Sequence, residues 1–496
     1  MLEPAPMSDT DPGVVLDTVD PKAIRRIHLV GVAGTGMGSF AGMLKAAGYE
    51  VTGSDENVYA PMSDMLRAWG IPAMTPYAAS NLDAARPDLV IIGNVIRRVN
   101  VEATAARERR LPQMSFPAAL GSFFLAQRHG VVVAGTHGKT TTSSLMGHVL
   151  AAAGRDPSFL VGGVTKNYSG NYRLGHGPHF VVEGDEYDTA YFDKGPKFLH
   201  YQPRSVILTS IELDHADIYR DLAHYESSFE KLMALMPADG HVAVSAAWPN
   251  AVQQAKRAKA PVTTYGVEAE LAADVTATEV RLGPEGARFT VLERGVPNRD
   301  FLLPLAGRHN VENALGVYAC ARGLGLSPDE IRAGFASFEG VKRRQEIRGE
   351  PGGVLVIDDF AHHPTAVRET IAAICSRWPN RPLWAVFEPR SNTSRRNLHQ
   401  AEYAQSFTGA ARASIKVPER HDKIPQGEEL DVPHLARELS AAGIPAVAAL
   451  TVPELVDEVS QQARAGDLVL VMSNGGFGGF IDTLLARLSI RAGNSS

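Results

Sequence analysis

Gly135-Thr136-His137-Gly138-Lys139-Thr140-Thr141 packs two glycines, a lysine and two adjacent hydroxyls into one short run. Ahead of it, Val131 to Ala134 are small or β-branched apolar residues that read as a buried strand. Behind it, Leu145, Val149 and Leu150 recur at helical spacing until Gly154. A strand, a glycine-bounded turn and a helix start predict a phosphate cradle. Backbone N–H groups and the helix N-terminus face the anion, Lys139 adds a point charge, and the Thr140 hydroxyl can hold Mg²⁺. The spacing departs from the common P-loop, whose first glycine would fall on Val133. A plain glycine turn is the competing reading, and it leaves the Lys-Thr-Thr run without a purpose.

Further polar clusters follow other apolar runs. Phe180 to Val182 leads into Glu183-Gly184-Asp185-Glu186-Tyr187-Asp188, carboxylates at a strand end where an open α/β sheet meets metal-bound phosphates. Ser205 to Ile211 leads into Glu212-Leu213-Asp214-His215-Ala216-Asp217. There His215 is a metal ligand or a charge-stabilised acid, against the alternative of an exposed acidic loop with an incidental histidine. Gly307-Arg308-His309 precedes Asn310 and Asn313, at the start of a helix predicted over Ala314 to Gly323. Asn310 could cap that helix, or the two amides could read an adenine edge. His362 and His363 follow Asp358-Asp359-Phe360-Ala361 after a strand at Val354 to Ile357. Neighbours on an extended chain point opposite ways, which argues against a metal shared by the two. Leu383 to Phe387 and Leu468 to Met472 end in Glu388-Pro389-Arg390-Ser391-Asn392-Thr393 and Ser473-Asn474-Gly475-Gly476.

A second glycine turn lies near the start. Ile27 to Val30, then Gly31-Val32-Ala33-Gly34-Thr35-Gly36-Met37-Gly38, an apolar helix from Phe40 to Ala47 and a strand ending in Gly53-Ser54-Asp55 form a βαβ unit of the dinucleotide-binding layout. This places a phosphate or diphosphate on a helix N-terminus without saying which molecule carries it.

These clusters need scaffolds to hold them. The chain of 496 residues has room for two to four domains. Alternating strands and helices predict an α/β fold of three domains. A leader at 1–20 is expected to be disordered. It precedes a Rossmann-like domain at 21–128, a central P-loop domain at 129–341 with a β-rich connection at 235–305, and a Rossmann-like C-terminal domain at 342–496. A hydrophobic share of 44% and a charged share of 21% fit an ordinary globular protein. The net charge of -6 argues against nucleic acid or anionic membranes as partners. Cys320 and Cys375 sit in apolar helical contexts and suggest neither a disulfide framework nor a zinc site. No apolar run has membrane-helix length and no signal pattern opens the chain, so a cytoplasmic enzyme is expected.

Taken in order, GTHGKTT, EGDE, DHAD, GRHNVEN, RRQE and DDFAHHP resemble the ATP-dependent Mur ligases of peptidoglycan synthesis, from about residue 25 to residue 485. The resemblance implies ATP and Mg²⁺ as cofactors. It implies that Gly135, Thr136, His137, Gly138, Lys139, Thr140 and Thr141 hold the phosphates, with Thr140, Glu183 and His215 at metals. His309, Asn310 and Asn313 are implied on the adenine side, Arg344 at the γ-phosphate, and Asp359 and His362 near ribose and phosphates. Lys139, Glu183, His215 and Arg344 are the implied catalytic set.

Gly34, Thr35, Gly36, Met37, Gly38, Ser54 and Asp55 match the UDP-sugar turn, with Ala33 where a glycine is common. NVYAPMS, GGVTKNYSGNYRLG, DEYDTAYFDKGPKF, FEPRSNT and MSNGGFGG resemble the branch that adds a murein tripeptide to UDP-N-acetylmuramate. The alternative is the branch that adds L-alanine. Arg390, Ser391, Asn392 and Asn474 are expected on the peptide side. The other expectations are no nucleic-acid or membrane partner and a monomer or weak homo-oligomer. Two departures stand out. Ser210 replaces a usual asparagine, and Tyr219 to Glu230 contains no counterpart of the lysine that several Mur ligases carbamylate. A dinucleotide-binding protein built on Gly31 to Gly38 and Asp55 is the reading from another class, and it leaves the P-loop and acidic runs unused.

Overall fold

Aliphatic runs too continuous for one-sided burial become the central strands of three sheets. In the strand His129–Ala134, Val131 and Val133 enter one core while Val132 and Ala134 enter another. Leu355 and Ile357 likewise part from Val354 and Val356. Both faces are covered, as expected of parallel sheets. The computed structural model describes residues 11–59, 62–215, 218–267, 272–419, 424 and 426–493. Residues 1–10 of the leader, Ala60 and Pro61 of the NVYAPMS run, and Ala216 and Asp217 of the DHAD run lie outside the described residues.

The first sheet has six parallel strands in the order Val14–Val15, Pro112–Ser115, Leu89–Ile92, Arg26–Val30, Glu50–Ser54 and Ala73–Met74. The expectation of a disordered leader through residue 20 is corrected here, because Val14 and Val15 pair with Pro112 and Gln113. Chain order reverses between Arg26–Val30 and Leu89–Ile92, so the Gly31 turn opens onto a crevice at the carboxyl ends of the strands.

The central sheet has ten strands, with His129–Ala134 between Ser205–Leu208 and His179–Gly184. The segment read as a β-rich connection contributes two strands, His241–Ser245 and Val262–Gly266, to the parallel part, and an antiparallel set from Val275 to Leu303. The third sheet carries Leu355–Asp359, Leu468–Met472, Leu383–Phe387, Arg412–Lys416 and Ala446–Ala449 in parallel, with Glu346–Gly349 antiparallel at one edge.

One core runs from the first sheet into the central one, through Phe40, Phe124 and Phe180. Polar stitching joins the central and third sheets. Lys342 N–H donates to Val164 O at 2.9 Å, and the Gln345 amide exchanges two hydrogen bonds with the backbone of Ala306, each 3.2 Å. Among the described residues no helix is long and apolar enough to cross a membrane.

Candidate active site

The glycine loop at 135–138 is fixed by its neighbours. Gly135 has φ +127°, and a Cβ there would lie 2.3 Å from Thr209 Oγ1, so only glycine fits against the end of the adjacent strand. Thr136 N–H donates to Ser210 O at 3.0 Å, His137 N–H to Ser210 Oγ at 2.9 Å, and the Thr136 hydroxyl to Glu212 O at 2.8 Å. Ser210 therefore supplies the acceptor for the loop that the usual asparagine left in question. Gly138, at φ +79°, starts the helix Lys139–Ala152 with no side-chain cap, which leaves first-turn amides for an anion.

Lys139 does not stand free in this cradle. Its ammonium donates to Gly135 O at 2.7 Å and to both oxygens of Glu186 at 3.0 and 2.9 Å. Burial works against its charge, but the carboxylates of Glu186, Asp185 and Glu183 outweigh it and raise the pKa. Glu186 is fully buried, accepts the Tyr225 hydroxyl at 2.8 Å and meets His215 Nε2 at 3.2 Å. Burial also opposes the His215 charge, but its hydrogen bond to Glu186 and the nearby Asp214 carboxylate raise its pKa to about 9. His215 thus joins Glu186 and Asp185, two positions the sequence did not single out within the acidic run.

Glu183 sits apart from that pair. It accepts Thr140 Oγ1 and Ser143 Oγ, each at 3.3 Å, and Gly162 N–H at 2.5 Å; burial pushes its carboxyl up. A hydroxyl beside a half-buried carboxylate offers hard oxygen donors, which fit Mg²⁺. Asp185, Glu186 and His215 form a second cluster of potential ligands.

A cavity of about 680 Å³ opens beside the loop, between the central and third domains. Trp248, Tyr265, Val267 and Leu305 give it apolar surface, and His309, Asn310 and Asn313 line it as well. The helix carrying these begins earlier than expected, at Arg308, because Gly307 with φ +96° is its N-cap. Asn310 therefore does not cap the helix. Its Nδ2 donates to Ala306 O at 2.7 Å and its oxygen accepts from Asn313 at 3.3 Å. Asn313 Oδ1 instead fills the space where a Gly138 side chain would stand. Burial lowers the pKa of His309, whose Nδ1 has no partner among the described residues.

From the third domain, Arg344 reaches Thr140 Oγ1 at 3.4 Å across the seam, with its guanidinium 4.9 Å from the centre of the Phe360 ring. Two residues expected near ribose and phosphates also make contacts within the protein. The Asp359 carboxylate, in the cavity wall, accepts from Gln345 N–H at 2.9 Å and Ala361 N–H at 2.8 Å, so it shapes the turn. His362 is not part of the cavity wall; its Nδ1 contacts Phe360 O at 3.1 Å.

In the first domain, Gly31 and Val32 N–H donate to Ser54 O, and Ala33 N–H donates to the Asp55 carboxylate at 2.9 Å. The helix Thr35–Ala46 follows with Gly34 as an uncapped N-cap. Gly34, Thr35 and Gly36 are exposed, while Met37 and Gly38 are buried against the core. Ser54 also turns inward, against expectation, with its hydroxyl on Glu102 Oε1 at 2.9 Å. Glu102 is fully buried and paired with His28 at 2.5 Å, a support for the turn that the sequence reading missed. A histidine inside an apolar strand was the available signal.

On the third domain, exposed Arg390 lies over Gly475, with its guanidinium where a Cβ would stand. Ser391 closes a local turn with Ser394, 2.8 Å between hydroxyls, which gives it a structural use. Asn392 is half-buried. Asn474 keeps a buried Oδ1 with no partner among the described residues, close to the Gly475 that Arg390 covers.

The comparisons agree with this layout along the chain. The Mur ligase family catalytic domain matches residues 26–128, the Mur ligase middle domain 133–321, and the Mur ligase glutamate ligase domain 343–475. The Escherichia coli (strain K12) UDP-N-acetylmuramate–L-alanyl-γ-D-glutamyl-meso-2,6-diaminoheptandioate ligase is 39% identical, over 94% of this chain and 99% of that one. The Burkholderia cenocepacia UDP-N-acetylmuramate–L-alanine ligase is 34% identical, over 95% and 99%. Among solved structures, the murein peptide ligase of Psychrobacter arcticus 273-4 superposes with a TM-score of 0.70 at 33% identity, covering 93% of this chain and 98% of that one. A nucleotide loop facing a third-domain arginine, a separate glycine turn and this end-to-end similarity have one explanation: the chain belongs to the Mur ligase family.

Proposed function

We propose that this enzyme joins the lactyl carboxylate of UDP-N-acetylmuramate to the free α-amine of L-alanyl-γ-D-glutamyl-meso-diaminopimelate, converting ATP to ADP and phosphate. The observation that carries the choice of peptide over L-alanine is the 39% identity with the E. coli peptide ligase across 94% of the chain. In the first step a carboxylate oxygen attacks the γ-phosphorus and the bond to the β-phosphate oxygen breaks, giving an acyl phosphate and ADP. In the second the amine attacks the acyl carbon, loses a proton, and inorganic phosphate departs.

Neither step needs a protein nucleophile; positioning and charge neutralisation carry the phosphoryl transfer. Lys139, released from Glu186 by the incoming phosphates, neutralises them from the loop, and Arg344 does so from the third domain. Asn310, Asn313 and His309 line the nucleoside end. Mg²⁺, held by Thr140 and Glu183 with a second ion at His215, Glu186 and Asp185, would supply charge neutralisation between the phosphates. Gly34 to Gly36 and Asp55 take the UDP diphosphate side. Arg390, Asn392 and Asn474 take the peptide, where a guanidinium and an unpaired amide oxygen suit its carboxylates and N–H groups. ATP and a UDP-sugar as substrates suit a cytoplasmic enzyme, acting as a monomer or weak homo-oligomer.

The test is phosphate release from ATP and UDP-N-acetylmuramate with tripeptide or with L-alanine. Release with the tripeptide alone supports the proposal. Release with alanine alone makes this the alanine-adding enzyme.

A further inference from the structure

His137, Glu212 and His363 converge at the nucleotide cavity, whose wall His137 and Glu212 help to line. His137 Nε2 lies 2.6 Å from Glu212 Oε2, and His363 Nδ1 lies 3.7 Å from the same oxygen. In a tetrahedral zinc site with bonds near 2.05 Å, ligand atoms stand about 3.3 Å apart. The two observed separations straddle that value, and changes of about 0.7 and 0.4 Å would bring them to it; all three ligand atoms lie within 4.8 Å of one another.

The three ligands are anchored through their backbones. His137 N–H donates to Ser210 Oγ, and Glu212 N–H donates to the Thr136 hydroxyl oxygen at 2.9 Å. His363 is the N-cap of the helix Pro364–Arg377. The second Glu212 oxygen accepts the Thr365 hydroxyl at 3.1 Å, the kind of outer support that metal-bound carboxylates carry. His363 is 4% exposed, and its Nε2 has no partner among the described residues. Ligation through Nδ1 would replace the Thr365 N–H that this atom accepts at 3.3 Å and would keep the proton on Nε2; the His363 and His399 ring centroids lie 4.7 Å apart.

We infer that His137, Glu212 and His363 form a binding site for a zinc-type divalent ion, bridging the nucleotide loop and the third domain. Two imidazoles and one carboxylate select Zn²⁺ over Mg²⁺, which prefers an all-oxygen shell. Ligands from two domains make the occupied site a staple across the seam through which nucleotide must pass. Bound zinc therefore acts as a brake on nucleotide exchange.

The test titrates Zn²⁺ into metal-stripped, full-length protein against a chromogenic chelator, at about 10 µM protein, where a site of micromolar or better affinity fills. A His215→Asn background disables the other cluster. In that background one equivalent should bind, and adding His363→Asn, which retains a good helix cap, should weaken binding at least thirty-fold. Matching thermal unfolding of the two stripped variants shows that the fold survives; should it not, His137→Gln in the same background must produce the same loss. In the wild type, zinc should also slow release of ADP, and His363→Asn should abolish that slowing. Absence of binding in the His215→Asn protein, or undiminished affinity after ligand replacement, overturns the site.

Discussion

Replacing Glu186 by glutamine should destabilise the nucleotide-free enzyme by about 3 kcal/mol. The carboxylate is fully buried and accepts from the Lys139 ammonium through both oxygens, 3.0 and 2.9 Å, besides Tyr225 at 2.8 Å and His215 at 3.2 Å. Glutamine keeps one oxygen for these donors, so shape and some hydrogen bonding survive while the negative charge goes. Stranding one partner of a buried ion pair costs about 3–5 kcal/mol. Lys139 retains the Gly135 and Thr136 carbonyls at 2.7 and 3.4 Å, which places the cost at the lower end. For a unit of the central domain's size that is a fall in Tm of roughly 6–12 °C. Saturating ADP returns an anion to Lys139, so it should raise the Tm of Glu186→Gln by more than it raises the wild type. Thermal unfolding with and without ADP measures both quantities. A nucleotide-free Glu186→Gln protein melting within about 2 °C of the wild type would refute the claim that this carboxylate balances the loop lysine.

Three further outcomes are expected. Gly138→Ala sets a side chain at φ +79° and 2.4 Å from Asn313 Oδ1. The backbone alone costs about 1–2 kcal/mol, and calorimetry should find ATP binding weakened at least about tenfold with UDP-sugar binding retained. Glu102→Gln cannot satisfy His28, Ser54, Asn81 and the Ala78 N–H together, so the glycine turn loosens. UDP-N-acetylmuramate affinity should drop about tenfold and ADP affinity should hold, and the reverse pattern would count against the support role. His129 pairs in register with His179 at the strand entrances. Burial, then repulsion from His179 and Arg204, lowers its pKa to about 4. The unfolded chain therefore takes up the proton first. The stability is complete above about pH 6.5 and is lost as pH falls toward 4, and His129→Gln should flatten that loss in urea midpoints measured between pH 7 and 4.5.

Where the chemistry sits was readable because the fold type fixes it. Each apolar run that became a parallel strand delivers its polar residues at the carboxyl end, so the Gly135 loop, Glu183 and His215 could be assigned to one crevice before any geometry. Which atoms meet there was not readable, because alternation stops where a strand stops. The strand His179–Gly184 still governs Glu183, which points to Thr140 and Ser143. Glu186 lies beyond its end, and nothing in the spacing says that it turns back to Lys139.

Ser54 shows the converse: it remains inside its strand, on the side of Thr52, and so follows that residue inward to the His28 and Glu102 pair, whereas Asp55 one step later reaches the turn. A single positive φ at Gly307 moved a helix start and changed Asn310 from a cap into a brace on Ala306. The leader strand, with two residues, has no period to detect. Contacts between domains are furthest from view. Arg344 on Thr140, Gln345 on Ala306 and His363 beside Glu212 join segments separated by more than a strand-and-helix unit, and their partners are chosen by how the sheets dock. The pieces of the nucleotide site are therefore local and legible, while the seam that closes over it is a product of tertiary packing, and substitutions at the seam should alter exchange and closure before they alter the loop's own fold.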